Sequence, residues 1–244
     1  MQIANHMKDQ VEKNLIDIRN SIADAARACG RSPDAVRLIA VSKTHPPEAV
    51  ASAVAAGQRE FGESTVQEAL TKISRFRDRG LEWHFIGHLQ SNKARFIPGN
   101  FAWLHSLDDP GLARRLSRLA QEQSASINIL IEVNVFHDAK KHGVDPDALP
   151  GLVEQLVREN LPALNLRGLM TIGPHPATEK EVHGCFARLR ELRDDCRRRF
   201  DLPRFTELSM GMSGDYAEAI QEGSTMVRIG SAIFGERDYS RKLS

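Results

Sequence analysis

Apolar residues recur at spacings of three and four through Ile3, Met7, Val11, Leu15, Ile18 and Ile22. This is the stripe of an amphipathic helix, predicted over about residues 7–30 and closed by Gly30. Beyond it the pattern alternates. Short apolar runs open at Val36 (VRLIAV), Arg59 (REF), Glu82 (EWHFIG), Ala102 (AWLHSL), Ile127 (INILIEVNV), Leu166 (LRGLMTI), Phe205 (FTELSMG) and Met226 (MVRIG), and each reads as a strand. Helical segments are predicted between them, at about residues 46–56, 64–78, 91–97, 109–124, 147–159, 178–199 and 215–222. Strand and helix alternating eight times predicts an α/β fold, a closed parallel (β/α)₈ TIM barrel over about residues 36–235 with an extra N-terminal helix, rather than an open doubly wound sheet. No internal repeat, low-complexity tract or Pro/Gly linker divides the chain, so residues 1–244 are expected to form a single domain.

Composition narrows the class. In 244 residues, 33 Lys and Arg stand against 32 Asp and Glu, for a formal charge of +1. That balance leaves no electrostatic footprint for nucleic acid, and no run approaches the ~18 consecutive apolar residues of a membrane span. The first residues lack the apolar core of a signal peptide. Cys29, Cys185 and Cys196 make an odd count. If the last two share the helix predicted at about 178–199, they stand roughly 16 Å apart at 1.5 Å per residue, too far for a disulfide. A soluble, monomeric, cytoplasmic protein with three free thiols is expected.

In such a barrel the chemistry lies at the C-terminal ends of the strands, and phosphate is often held by the loops after strands seven and eight. In SMGMSGDYAEAIQEG, Asp215 followed by Glu218 resembles a capping box. Ser213 and Gly214 would then lie at a helix N-terminus, which favours an anion. In MVRIGSAIFG, Gly230 and Ser231 would turn out of strand eight. Taken singly, these glycines are ordinary turn residues; two such loops at the places the fold prefers for phosphate point to a cradle. Period two puts Met226, Arg228 and Gly230 on one face and Val227 and Ile229 on the other, so Arg228 is expected to enter the barrel mouth. There it needs an acceptor, either on a ligand or on an acid such as Glu132 or Glu207. In LIAVSK, Ile39, Val41 and Lys43 share a face, and Lys43 would enter the same mouth from strand one. A lysine in a partly dry site loses its charge readily, and a neutral amine attacks aldehydes. Lysine, phosphate cradle and inward arginine together describe a site for an aldehyde that carries a phosphate, pyridoxal 5′-phosphate (PLP).

The motifs LIAVSKTHPPEAV, FGESTVQEAL, WHFIGHLQSNK, GLMTIG and LSMGMSGDYAEAIQEGSTMVRIGSAIFG resemble, in order, those of the PLP homeostasis proteins, the YggS/PROSC family. The likeness runs from about Val36 to Gly235. It implies a barrel similar to the N-terminal domain of alanine racemase, with PLP held as a Schiff base on Lys43. Matched motif by motif, Ser213, Gly230 and Ser231 would hold the phosphate, Arg228 would face the pyridine nitrogen, and Met170, which most simply reads as core, would lie near the cofactor. The implied role is supply and balance of the cofactor (vitamin B6 homeostasis, with effects on amino-acid balance) without an established reaction. PLP and PLP-dependent apo-enzymes are the implied partners. Two departures stand out. The family usually reads FGEN where this chain has Ser64, and its SKxG appears as Lys140-Lys141-His142-Gly143.

A non-catalytic PLP carrier or regulator is therefore expected. A cation facing the pyridine nitrogen disfavours the proton that makes the ring an electron sink. The nine residues after Gly235 are too few for the second domain that supplies a tyrosine in alanine racemase, and neither Tyr216 nor Tyr239 has a claim to that role. The alternatives are a small PLP-dependent racemase or lyase with Lys43 as base, and a Schiff-base aldolase on sugar phosphates. His84 and His88 are candidates for the mouth, with core packing or a surface loop as the plainer readings. His137 and His142 are loosely spaced with no clustered partner, so no metal is expected. The basic run from Ala187 to Phe200 alternates with acids and reads as a solvated face.

Overall fold

The structure, a computed structural model, describes residues 2–236, with side chains from residue 8 onward. The side chains of Ile3 and Met7, and all of Tyr239, lie outside the described residues. Helix α1 (Gln2–Ala28) buries Val11, Leu15, Ile18 and Ile22, and Gly30 follows its end at φ 74°. All eight apolar runs form strands: β1 (Arg37–Val41), β2 (Glu60–Glu63), β3 (Glu82–Phe85), β4 (Trp103–Leu107), β5 (Ile127–Glu132), β6 (Leu164–Met170), β7 (Glu207–Ser209) and β8 (Met226–Ile229). Each pairs in parallel with the next, and β8 returns to β1 to close the barrel, with Ile39 opposite Arg228.

Between strands lie α2 (Pro47–Ala55), α3 (Val66–Arg75), α4 (Pro110–Glu122), α5 (Leu149–Glu159), α6 (Glu179–Arg199) and α7 (Tyr216–Gln221), and α8 (Ser231–Phe234) follows β8. The helix expected at 91–97 is instead a 3₁₀ helix, Ser91–Phe96. Ile97 keeps helical geometry (φ −78°, ψ −52°), and Pro98 after it lacks the backbone donor that would carry the helix on, so two tight turns are all that form. The segment 64–78 also divides, with a second 3₁₀ helix (Arg77–Arg79) ending at Gly80, φ 62°. Helix α8 has only four residues, too few to show a 3.6-residue period.

The core has two layers, as period two requires. Val227 and Ile229 pack outward among the helices, while Met226 joins Ile39, Trp103, Leu130 and Met170 inside the barrel. Met170 is thus a core residue at the exit of β6. Helix α1 packs on α2, α7 and α8. Asn14 Nδ2 donates to Ile233 O at 2.8 Å, and Arg31 donates to Ile220 O and Ser224 O, each at 2.7 Å. Ile233 O and Ile220 O lie in the last turns of α8 and α7, where intrahelical partners run out, and Ser224 O lies in the segment before β8. The N-terminal helix therefore braces the two short helices that begin at the mouth.

Cys29, Cys185 and Cys196 are unpaired, the last two buried on α6. Among the described residues no helix is long and apolar enough to cross a membrane.

Candidate functional site

At the C-terminal ends of β1, β7 and β8 lies a cavity of about 590 Å³ whose walls include Lys43, Ser213, Arg228, Gly230 and Ser231. Ligand pockets span roughly 300–1,000 Å³, so a small cofactor fits. All five candidate residues meet there, brought from three strands by the closing of β8 on β1.

Lys43 is half-buried, and the backbone on either side of it is tied down. Ser42 N donates to Gly62 O, and its hydroxyl donates to Glu63 Oε1 at 2.6 Å. Lys72 Nζ donates to Ser42 O at 2.7 Å and to Glu63 and Glu68, each at 2.8 Å. Glu68 in turn accepts from the N–H of Thr44, a non-glycine residue at φ 69°. The turn that presents Lys43 thus adopts a costly backbone conformation that the surrounding hydrogen bonds enforce. Both Lys72 and Glu63 are fully buried. Nothing in the sequence distinguished Lys72 from a surface lysine of an amphipathic helix.

On the opposite wall, the Ser213 and Ser231 hydroxyls approach to 3.2 Å. Gly230 runs close beside β1; an added Cβ would stand 3.2 Å from Val41 O. The first turn of α8 presents the N–H groups of Ser231 and Ala232, which a helix start leaves without intrahelical partners. The capping box expected at Asp215 does not form. The Asp215 carboxylate folds back to accept from Met212 N at 2.6 Å. It thereby fixes the 212–215 turn that carries Ser213.

Arg228 points inward, 5% exposed. Its acceptors are neither Glu132 nor Glu207: Nη1 donates to Ser209 Oγ at 2.7 Å and Nη2 to Thr171 O at 3.0 Å. Burial lowers its pKa to about 10, so the guanidinium stays charged at neutral pH. Below it a polar chain runs down the barrel axis. Ser209 Oγ lies 2.9 Å from His105 Nδ1, His105 Nε2 lies 3.0 Å from His84 Nδ1, and His84 Nε2 lies 3.4 Å from Glu60 Oε2. Burial holds both histidines below the ordinary imidazole range. His84 is therefore a core residue, stacked on Trp103, while His88 stands exposed on the loop after β3. Ser64 lies with His88 around a separate hollow and not in the Lys43 cavity.

Glu132, at the exit of β5, is the carboxyl group that sequence reasoning undervalued. Burial, with Asp108 nearby, pushes it up to about 7 against the pull of Arg228. The folded chain then holds a proton that the unfolded chain releases near 4.5, so stability should fall as pH rises between about 4.5 and 7 and level off above. The full effect is on the order of 3 kcal/mol. Glu132→Gln is expected to flatten most of that fall in urea midpoints measured at pH 5 and pH 7.5. Glu63 and Asp215, also raised by burial, supply the remaining slope. A variant with the wild-type slope would remove Glu132 from this role.

The donors suit PLP by their chemistry: two hydroxyls and a glycine turn for a phosphate, a fixed cation for a ring nitrogen, an amine for an aldehyde. Residues 14–238 match the alanine racemase N-terminal domain family. Pyridoxal phosphate homeostasis proteins of Vibrio cholerae and Pseudomonas aeruginosa are 45% and 47% identical over 235 residues, covering 95% and 96% of this chain and 98% and 99% of theirs. The chain belongs to the pyridoxal phosphate homeostasis protein family. PipY of Synechococcus elongatus, in a structure with PLP bound, is 40% identical with a TM-score of 0.83, covering 93% of this chain and 100% of its own. Alanine racemase of Corynebacterium glutamicum, 19% identical at a TM-score of 0.67, shares the fold over 96% of this chain and 62% of its own.

Proposed function

We propose that the chain binds PLP at the β1/β7/β8 cavity and holds it as a Schiff base on Lys43. It would store and supply the cofactor in the cytosol, as a monomer handing it to PLP-dependent apo-enzymes. The observation that carries this reading is the convergence of Lys43, Ser213, Arg228, Gly230 and Ser231 on one cavity. PLP, when bound, would supply an electrophilic aldehyde, and Lys43 would offer it a nucleophilic amine. Ser213 and Ser231 would donate their hydroxyls to the phosphate, and Gly230 would allow close backbone approach. Arg228, held in place by Ser209 and Thr171, would offer its guanidinium to the pyridine nitrogen. A cation there disfavours a proton on the ring, which weakens the ring as an electron sink. The relatives' name, homeostasis protein rather than an enzyme, supports a carrier.

One observation favours a second reading, a small racemase or lyase: Glu132, a carboxyl raised to about 7 at the mouth end of β5, has the properties of a general acid or base. One pair of measurements decides. Borohydride reduction followed by mass spectrometry should place a single pyridoxyl group on Lys43, and pyridoxal, lacking the phosphate, should bind far more weakly than PLP. The PLP-loaded protein, incubated with L- and D-amino acids in deuterated water, should show no α-deuterium, racemisation or keto-acid. Turnover of about 1 s⁻¹, the low end of ordinary enzyme rates, would overturn the carrier reading in favour of the second.

A further inference from the structure

His88 follows β3, Asp108 follows the last residue of β4, and His142 lies in the loop between β5 and α5. Far apart in sequence, they meet at the barrel mouth, across it from Lys43 and the α7/α8 cradle. One ligand atom from each lies within 4.8 Å of the other two. The two imidazoles stack with centroids 3.7 Å apart and planes 11° from parallel. The expectation that His142 lacks a clustered partner thus does not survive folding.

The cluster is preformed on its backbone side. Asp108 Oδ2 accepts from the N–H of Gly143, the residue after His142, at 3.3 Å. Gly143 itself sits at φ 109°, where an added Cβ would stand 3.0 Å from both Asn134 N and Glu132 O. Val144 bridges to Val133, and Asn134 Nδ2 donates to Asp138 O at 2.8 Å, closing the loop that carries His142. Of the two lysines before His142, the adjacent one is engaged elsewhere: Lys141 Nζ donates to Gly173 O at 2.9 Å. Metal–nitrogen bonds of about 2.0–2.1 Å in a tetrahedral site require ligand atoms ~3.3 Å apart, so an ion would have to draw the exposed His88 ring off its stack on His142.

We propose that His88, Asp108 and His142 form a binding site for a first-row transition-metal dication of the zinc class. Two imidazoles and one carboxylate suit such an ion better than magnesium or calcium, which take all-oxygen ligand sets. Three protein ligands leave a coordination position to water. The ion ties together the loops after β3, β4 and β5. The other grouping of this kind among the described residues, Glu60, Glu82 and His84, is different. There the Arg37 guanidinium already bonds both carboxylates and occupies the place of a cation.

The site stands independently of PLP, so its test uses the full-length chain stripped with a chelator and assayed both without PLP and with PLP reduced onto it. Titration with Zn²⁺ against a chromophoric chelator should show one equivalent bound with micromolar affinity or tighter. Co²⁺ should give visible ligand-field bands. Zn²⁺ should raise the melting temperature of the wild type, since it binds only the folded state. His88→Ala, His142→Ala and Asp108→Asn should each weaken Zn²⁺ by at least about tenfold and abolish that rise, while the metal-free proteins melt near the wild type. His88 and His142 are exposed, so the test stands on them even if Asp108→Asn fails to fold. Wild type that takes up no Zn²⁺ at millimolar concentration, His142→Ala that binds as tightly as wild type, or loss of uptake in Cys29→Ser would each overturn the site.

Discussion

Lys43→Ala is expected to remain folded and to lose PLP as a covalently held ligand. The side chain lines a cavity, and the backbone around it is fixed by other residues: Ser42 by Gly62, Glu63 and Lys72, and Thr44 by Glu68. Removing the amine therefore takes away the nucleophile without releasing the turn. The visible imine band should vanish, borohydride should fix no pyridoxyl group, and PLP affinity should drop by at least about a hundredfold, equivalent to roughly 2.7 kcal/mol. Absorbance, mass spectrometry and a thermal melt on one sample check all three. A pyridoxyl group still captured by the variant at Lys93 or Lys141 would sink the assignment. Capture at Lys72 is not expected, because its ammonium is buried and donates to three acceptors.

Lys72→Ala should produce the largest loss of stability, about 3–5 kcal/mol, the usual cost of stripping one partner from a buried ion pair. Glu63 is fully buried; burial raises its pKa, and Lys72 is the main influence holding it down. Without that ammonium the carboxyl rises further above its unfolded value of 4.5, so the penalty grows as pH climbs from there and shrinks in acid. Urea unfolding at pH 5 and pH 7.5 should show the smaller loss at pH 5. Adding Glu63→Gln should recover part of the stability at pH 7.5, because the stranded charge is then gone. A loss that does not vary with pH, or a double variant no better than the single, would mean that packing and not charge makes Lys72 important. The same variant should bind PLP poorly even when folded, since Lys72 also holds the Ser42 carbonyl and the Glu68 carboxylate that pin the Lys43 turn.

What was legible in the sequence was whatever depends on alternation within one strand. Period two was enough to send Val41 and Arg228 inward and Val227 and Ile229 outward, and strand order did the rest, because closure places β8 beside β1. Interactions between residues that share no element were not legible. Lys72 and Glu63, nine residues apart, pair only when α3 folds over the exit of β2. The Asp215 capping box failed because a nearer donor, Met212 N–H, competes for the carboxylate inside a tight turn. His88, Asp108 and His142 belong to three loops that only the barrel brings together. No helical period is visible in the four residues of α8, yet its first residue, Ser231, lines the Lys43 cavity.

The polar chain beneath Arg228 is polarised from its upper end. A guanidinium has nothing but donors, so Arg228 can only donate to Ser209 Oγ. Ser209 keeps a second lone pair and one hydroxyl hydrogen, so its contact with His105 Nδ1 runs in either direction, and the tautomer of His105 sets that of His84 through the 3.0 Å contact between them. His84 Nε2, 3.4 Å from Glu60, makes no hydrogen bond and leaves the lower end of the chain unpinned. The two buried imidazoles thus share one two-position setting, and the hydroxyl that Arg228 holds at the mouth is the lever on it. Replacing Arg228 by a neutral residue would release that hydroxyl. The setting of the two imidazoles, and with it the rigidity of the floor, would then depend on what is bound at the mouth.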